Sequence, residues 1–497
     1  MSEEIKEEVG AQEPAAEAVA TPEPQPKNAL DKFFGITKSG SNFKTEIIAG
    51  ITTFMAMVYI LMVNAGMFSE AWVGLSYGGA YIATAIGAIV GTLLMAFLAK
   101  MPLAQASGMG INAFIVYTLL LNGTGLTYAN CMVFTLLDGV IFLILTVTGL
   151  RKKIFEAIPA AVRHAIPVGI GLFIAFIGMQ NAGLIVNEDT TLVTFVSFNF
   201  LGKATYGGIL PAFVAIVGVL AIAILSKKDV KGAILWGILG SAALYYAMAG
   251  IGCIWGDTAC LDVFSGITLD NPFTAFGEWG TQAVGQVFIK GFDFSAFVGG
   301  PGALVILLLT SVLSLCMIDM FDTIGTLYGA CSKGNLLDEN GTPINMDKMM
   351  LSDAIATCTG AIAGTSTVTT FVESSSGVAA GGKTGFTALV TGICFILAMF
   401  LSPIAQLIPS CATATALIWV GVLMMTSVTK INWEDAAEAI VAFLTFIVML
   451  LGYSISKGIG IGIIAYVLVK VCTGKVKEIT IPTWIIAVLF LATFVLT

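Results

Sequence analysis

Long apolar runs, interrupted by short polar stretches, recur along nearly the whole chain. Fourteen can be delimited: 46–68, 78–99, 102–121, 127–149, 160–180, 205–226, 232–252, 303–330, 350–364, 365–382, 385–407, 410–427, 435–454 and 457–473. A helix that crosses a bilayer needs about 20 apolar residues. The pattern therefore predicts an all-α integral membrane protein with fourteen spans. The runs do not alternate in period-2 blocks of about ten residues, as the strands of an outer-membrane barrel do. A last apolar stretch, 480–496, fits either a span or an interfacial helix.

The longest connection between runs, 253–302, is polar, with Asp257, Asp262, Asp270, Glu278 and Asp293 among several aromatics. It reads as an outer loop with interfacial helices, and it divides the chain into seven spans (30–252) and seven spans (303–477), ahead of an apolar tail (478–497). Two halves with an odd number of spans insert in opposite senses, which is the plan of an inverted repeat.

Charge supports that topology. With the N-terminus inside and the spans alternating, 20 of the 23 Lys and Arg fall inside, including Arg151, Lys152, Lys153 and Arg163. Only Lys203, Lys290 and Lys457 fall outside, the asymmetry expected of cytoplasmic loops. Adding or dropping one early span would move the Arg151–Lys153 cluster outside. Residues 1–29 are acidic and rich in Pro, Ala and Glu, and read as a disordered cytosolic extension with no signal-peptide pattern. A multi-pass protein of a bacterial-type inner (plasma) membrane, N-terminus cytoplasmic, is expected.

The third span of each half is broken. In the first, 101–114 reads MPLAQASGMGINAF, where Pro102, Ser107, Gly108 and Gly110 oppose a continuous helix. In the second, 364–382 reads GTSTVTTFVESSSGVAAGG; residues 367–372 favour extended backbone, and Ser374 to Ser376 can start a helix. Short interrupted spans at matching positions of two halves mark the binding site of many transporters. Half-helices beginning there aim free N–H groups at one spot.

Chemistry follows from the acids within the spans, since an Asp at a helix centre costs about 2.5–3.5 kcal/mol on insertion scales. Asp319 and Asp322 stand three residues apart, on one helix face, and Asp319 lies near the membrane middle. Two nearby, poorly solvated carboxylates cannot both ionise cheaply, so such a pair can hold and release a proton. Glu373 follows the second break and Asn112 the first, and Asn112 can both donate and accept. Asp353 reads equally as an interfacial acid or a proton-path group. Asp138 and His164, the only histidine, read as structural. Substrate binding is expected at Asp319, Asp322, Glu373, Asn112, Phe371 and Ser374, and proton coupling at Asp319, Asp322, Glu373 or Asp353.

The motifs FFGITKSGSNFKTEIIAGITTFMAMVYILMVN (33–64), GMGINAF (108–114), GIGLFIAFIGMQNAGLIV (169–186), DMFDTIGTLYG (319–329) and GTSTVTTFVESSSGVAAGGKTG (364–385) resemble those of a known family. They are similar to the AzgA-like adenine, guanine and hypoxanthine permeases of the nucleobase–cation symporters. The resemblance implies a core of spans 1–4 and 8–11 that carries substrate past a gate of spans 5–7 and 12–14. It also implies short extended segments in spans 3 and 10. By position it implies that an acid of span 8 (Asp319 or Asp322) and Glu373 hold the base, with Asn112 in the span 3 motif. The expected activity is secondary import of a purine base by proton symport, with Na⁺ not excluded as coupling ion.

A flat, nearly neutral base offers N–H donors that carboxylates accept, and Phe114 or Phe371 can stack on its ring. No Lys or Arg stands at the broken spans, which disfavours the rival reading, an anion transporter of the same architecture. An enzyme would need a nucleophile–base pair or a metal cluster; Ser374–Ser376 beside Glu373 lacks an accompanying His or Lys. A channel would lack the matched breaks. No cofactor, metal or nucleic-acid partner is expected, since no P-loop, dinucleotide fingerprint or basic patch occurs. The partners expected are the purine base and the lipid bilayer, with a homodimer as one open assembly. The nine cysteines read as small buried hydrophobes, with Cys253 and Cys260 near enough in sequence to pair.

Overall fold

Side chains at the helix starts satisfy the first backbone N–H groups of the long apolar segments. In the computed structural model, Asn42 caps the first (Asn42 Oδ1 accepts from the Thr45 N–H at 3.0 Å), Ser76 the second, and a Thr127–Asn130 capping box the fourth. The structure describes residues 26, 28–121, 123–149, 158–199, 205–265, 271–339 and 341–496. Most of the acidic tail, the Arg151–Lys153 cluster, Lys203 and Asp270 lie outside the described residues.

The principal elements, in chain order, are α1 (Phe43–Phe68), α2 (Tyr77–Ala99), β1 (Gln105–Ser107), α3 (Met109–Leu120), α4 (Tyr128–Val147) and α5 (Ala160–Asn181). There follow β2 (Ile185–Glu188), β3 (Leu192–Phe195), α6 (Tyr206–Lys227), α7 (Ala233–Ile254), α8 (Pro301–Lys333) and α9 (Met346–Ala363). The chain ends with β4 (Val368–Thr370), α10 (Ser374–Ala379), α11 (Gly385–Gln406), α12 (Ser410–Lys430), α13 (Ala436–Leu451), α14 (Ile455–Cys472) and α15 (Ile481–Leu496). Among the described residues ten helices are long and apolar enough to cross a membrane; α3, α13 and α15 are apolar but shorter.

The expected helices within 253–302 are present as Thr258–Ser265, Pro272–Glu278 and Gln286–Ile289. The antiparallel hairpin β2–β3 was not anticipated. Its turn is residues 189–191, with Leu192, at φ 68°, opposite Glu188. All nine thiols are free, Cys253 and Cys260 included; Cys260 is buried, packed against α6 and α7 with Leu210 and Ala249.

Within a membrane, lipid tails are as apolar as leucine, so helices associate through close packing of small residues. The helices α5, α12, α13 and α14 form one connected set, with α6 and α7 against α12. At the α5–α12 crossing a Cβ on Gly421 would stand 2.5 Å from the Gly171 carbonyl oxygen, so only glycine permits this approach. The helices α1, α2, α4, α9 and α11 form the other set, with α8 beside α4 and α10. Within it, the buried Glu46 carboxylate accepts from the Lys383 N–H (3.0 Å), the Thr384 hydroxyl (2.8 Å) and the Thr387 hydroxyl (2.6 Å), tying α1 to α11.

Candidate functional site: a strand crossing between broken helices

β1 and β4 pair antiparallel deep within this second set of helices, with Gln105 opposite Thr370, Ala106 opposite Thr369 and Ser107 opposite Val368. All six residues are buried. Pro102 and the β-branched run 367–370 disfavour helix here, but an unwound backbone at this depth must find partners inside the protein. Gly108 N–H donates to the Thr367 carbonyl at 3.0 Å, and Phe371 N–H to the Ala104 carbonyl at 3.1 Å. The Thr92 hydroxyl donates to the Gln105 carbonyl (3.1 Å) and accepts from the Gln105 N–H (3.0 Å). Thr357 donates to the Val368 carbonyl at 3.2 Å. Glycines make the bed for the strands: a Cβ on Gly91 would lie 2.9 Å from the Val368 side chain, and one on Gly360 would lie 2.8 Å from the Ser366 carbonyl oxygen.

The side chains around the crossing form two polar clusters. On the α3 side, the Asn112 Oδ1 accepts from the Ser107 hydroxyl at 2.9 Å and from the Ser366 hydroxyl, while Ser107 and Ser366 lie 2.7 Å apart. Thr365 donates to Ser107 at 3.0 Å, and Asn64 donates to Thr84 at 2.6 Å. The Asn112 amide nitrogen, buried, has no hydrogen-bond partner in the protein. This leaves an oriented donor at the start of α3.

On the α10 side, Glu373 immediately precedes the half-helix Ser374–Ala379 and accepts from the Tyr59 hydroxyl of α1 at 2.6 Å. Both residues are buried. Asp322 of α8 is half-buried and within electrostatic range of Glu373 and of Asp353. Asp319, one turn away, is fully enclosed. The Thr323 hydroxyl stands 3.3 Å from Asp319 and 2.8 Å from Asp353, placed to donate to either. Gln105 of β1 donates to Asp353 at 3.3 Å and to Thr370 at 3.2 Å, so the strand pair and the acids share one network.

Of the residues expected from sequence, Asp319 and Asp353 lie in this hydrogen-bonded network, and Asp322 lies within electrostatic range of Asp353 and of Glu373. Asp353 is fully buried within the protein. The Ser374 hydroxyl is engaged with backbone, accepting from the Ala104 N–H at 3.0 Å, and Phe371 is buried beside it. Asp138 accepts from Thr367 at 3.0 Å, a tie between α4 and the second break. The sequence reasoning missed Tyr59, Gln105, Asn64 and Thr323. Their signal is a polar atom within an otherwise apolar run.

The chain matches the Permease family, of the xanthine/uracil type, over residues 44–461. It is similar to the guanine/hypoxanthine permease PbuO of Bacillus subtilis, 38% identical over 92% of this chain and 98% of that one. It is also similar to the adenine permease AdeQ of Escherichia coli, 35% identical over 93% of this chain and 95% of the other. Among solved structures it is similar in fold to the transmembrane domain of a cyanobacterial bicarbonate transporter, BicA. The TM-score is 0.54 at 13% identity, covering 84% of this chain and 97% of that one.

Proposed function

Because the chain belongs to this permease family, we propose that it imports purine nucleobases (adenine, guanine or hypoxanthine) by proton symport across a bacterial-type inner membrane. The observation that carries the reading is the crossing of β1 and β4, with an amide donor on one side and carboxylates on the other. A purine presents N–H donors on one edge and ring-nitrogen acceptors on another. Carboxylates at Glu373 and Asp322 accept from the first, and the Asn112 amide nitrogen donates to the second. Tyr59 holds the Glu373 carboxylate in place. Phe371 and Ser374 then act by shaping the wall beside the base.

The proton belongs to the acids of the same network. Asp319 and Asp353 flank one hydroxyl, Thr323, and this pair is the place assigned here to the coupling proton. In this reading fourteen spans form a seven-plus-seven inverted repeat, N-terminus inside. Helices α1–α4 and α8–α11 are the core that moves with the base, and α5–α7 and α12–α14 the gate it passes. The separate packing of the two sets and the glycine seam of α5 and α12 support this division.

The test is uptake of radiolabelled hypoxanthine, guanine and adenine into proteoliposomes, with an imposed proton gradient and with an uncoupler. Saturable uptake of at least one base, lost on uncoupling, is expected. Absence of saturable uptake for all three removes the purine assignment. Uptake unchanged by the uncoupler but dependent on Na⁺ removes the proton.

A further inference from the structure

A buried asparagine amide fits its pocket either way round, and only one way gives a purine a donor. At Asn112 the Oδ1 accepts from the Ser107 hydroxyl at 2.9 Å and from the Ser366 hydroxyl. A hydroxyl, however, donates or accepts with equal ease. The pair holds this orientation only if its protons are committed, and the commitment comes from elsewhere in the fold.

It starts on α2. There the Thr84 hydroxyl gives its proton to the Ala80 carbonyl, one turn earlier, at 2.7 Å. With that proton spent, Thr84 can only accept, so the group of Asn64 that lies 2.6 Å from it is the amide nitrogen. The same nitrogen donates to the Thr365 Oγ1 at 3.2 Å. Thr365 therefore accepts from Asn64 and has its single proton left for Ser107, at 3.0 Å. Ser107, supplied by Thr365, passes its own proton to Asn112. The Thr365 N–H bonds back to the Gly360 carbonyl at 2.9 Å, and Gly364, at φ 90°, makes the turn out of α9 that allows it.

Hydrogen bonds in such a row all point one way, and each polarises the next. Asn64, Thr84, Thr365, Ser107, Ser366 and Asn112 are all buried. The Asn64 Oδ1 has no hydrogen-bond partner in the protein, so this side chain bonds only through its nitrogen, toward the row.

We propose that Asn64, Thr365 and Ser107 are positioning residues that hold the Asn112 amide nitrogen toward substrate, and that the site thereby selects purines presenting a ring-nitrogen acceptor at that place. The selection rests on the proposed purine binding at Asn112. Without the Thr365 proton, Ser107 lacks a donor, and Asn112 supplies one by turning over. Its oxygen then faces the ring nitrogen, and the preference is lost.

The test is equilibrium binding to the purified full chain of hypoxanthine and adenine, each beside its 3-deaza and 7-deaza analogues, in which one ring nitrogen is replaced by C–H. Wild type should bind at least one analogue about fivefold more weakly than its parent, the loss of one hydrogen bond, and Asn112→Ala should erase that penalty. Thr365→Val keeps the shape of the side chain and deletes the hydroxyl. The parent should then lose about fivefold and the analogue nothing, so the penalty disappears. Thr365→Ser keeps the hydroxyl and should keep the penalty. Asn64→Asp has one proton to give at most, which Thr84 takes, so it accepts from Thr365 instead of donating. It should erase the penalty too, and it carries the test if Thr365→Val fails to fold.

A penalty unchanged in Thr365→Val and Asn64→Asp, yet erased by Asn112→Ala, overturns the relay and leaves the purine reading of Asn112 standing. Equal losses for parent and analogue in Thr365→Val also overturn it, because damage to the scaffold weakens both alike. If wild type does not distinguish parents from analogues, or binds no purine, the reading of Asn112 as a donor to the base fails and the proposed selection fails with it.

Discussion

Two places in this molecule bring backbone unusually close to backbone, and they do so for different ends. At the α5–α12 seam, Gly171, Gly178, Ala414 and Gly421 let two whole helices touch. At the β1–β4 crossing, Gly87, Gly91 and Gly360 let α2 and α9 close over two strands that have left the helix altogether. The seam is built of small apolar residues that need no partners. The crossing is filled with hydroxyls, amides and carboxylates, each tied to strands or half-helices from several elements. Close packing alone makes a rigid support. Close packing around an unwound backbone makes a site, because every polar group forced into the interior must be bonded there or be left available to a ligand.

Four substitutions sharpen that contrast, in order of expected effect. Glu373→Gln keeps the shape of the crossing but removes its charge next to α10; base uptake should fall by roughly 100-fold, the loss of about 3 kcal/mol from a charge-assisted contact. Normal uptake by this variant would separate the crossing from substrate binding. Gly421→Ala sets a methyl group 2.5 Å from the Gly171 carbonyl oxygen; overpacking of this kind costs about 1–3 kcal/mol. A lowered thermal midpoint with unchanged base affinity is expected, and an affinity change equal to that of the site variants would erase the distinction between seam and crossing.

Tyr59→Phe deletes the 2.6 Å hydrogen bond to Glu373 without changing the packing of the ring. A loss of roughly tenfold in affinity follows from about 1.5 kcal/mol for a bond to a charged group, read by equilibrium binding of the labelled base. The smallest effect belongs to Asn112→Ala, because Ser107 and Ser366 can still bond each other at 2.7 Å. About 1 kcal/mol, or roughly fivefold, should be lost. The loss should be greatest for the purine whose ring nitrogen faces that amide, which comparison of adenine with hypoxanthine would reveal.

Much of this arrangement was readable in the chain. Pro102 and Gly108–Gly110, together with the Thr-rich run after Gly364, announced two interrupted segments, and the strands occur at 105–107 and 368–370 inside them. The acids announced a polar interior because isolated charge is too costly in an apolar span unless it serves something. Other features were silent. Tyr59 lies in a run, MAMVYILMV, that reads as uniformly apolar, and only the fold brings it from α1 to Glu373, 314 positions away. Gln105 and Thr323 looked ordinary until the strand pairing placed one and the turn of α8 placed the other beside Asp353. His164, read from sequence as structural, lines a cavity whose other wall is α8.

What the sequence determined by itself is local: where helices run, where they must stop, and that carboxylates and an amide lie near the stops. Hydropathy, proline, glycine and β-branching act within a few residues, so their message survives without tertiary context. Which acid meets which hydroxyl, and which of the two aspartates of α8 is sealed and which half-open, was decided only by the packed structure. Those pairings join residues hundreds of positions apart, and their energies arise from burial and mutual geometry that no local pattern encodes.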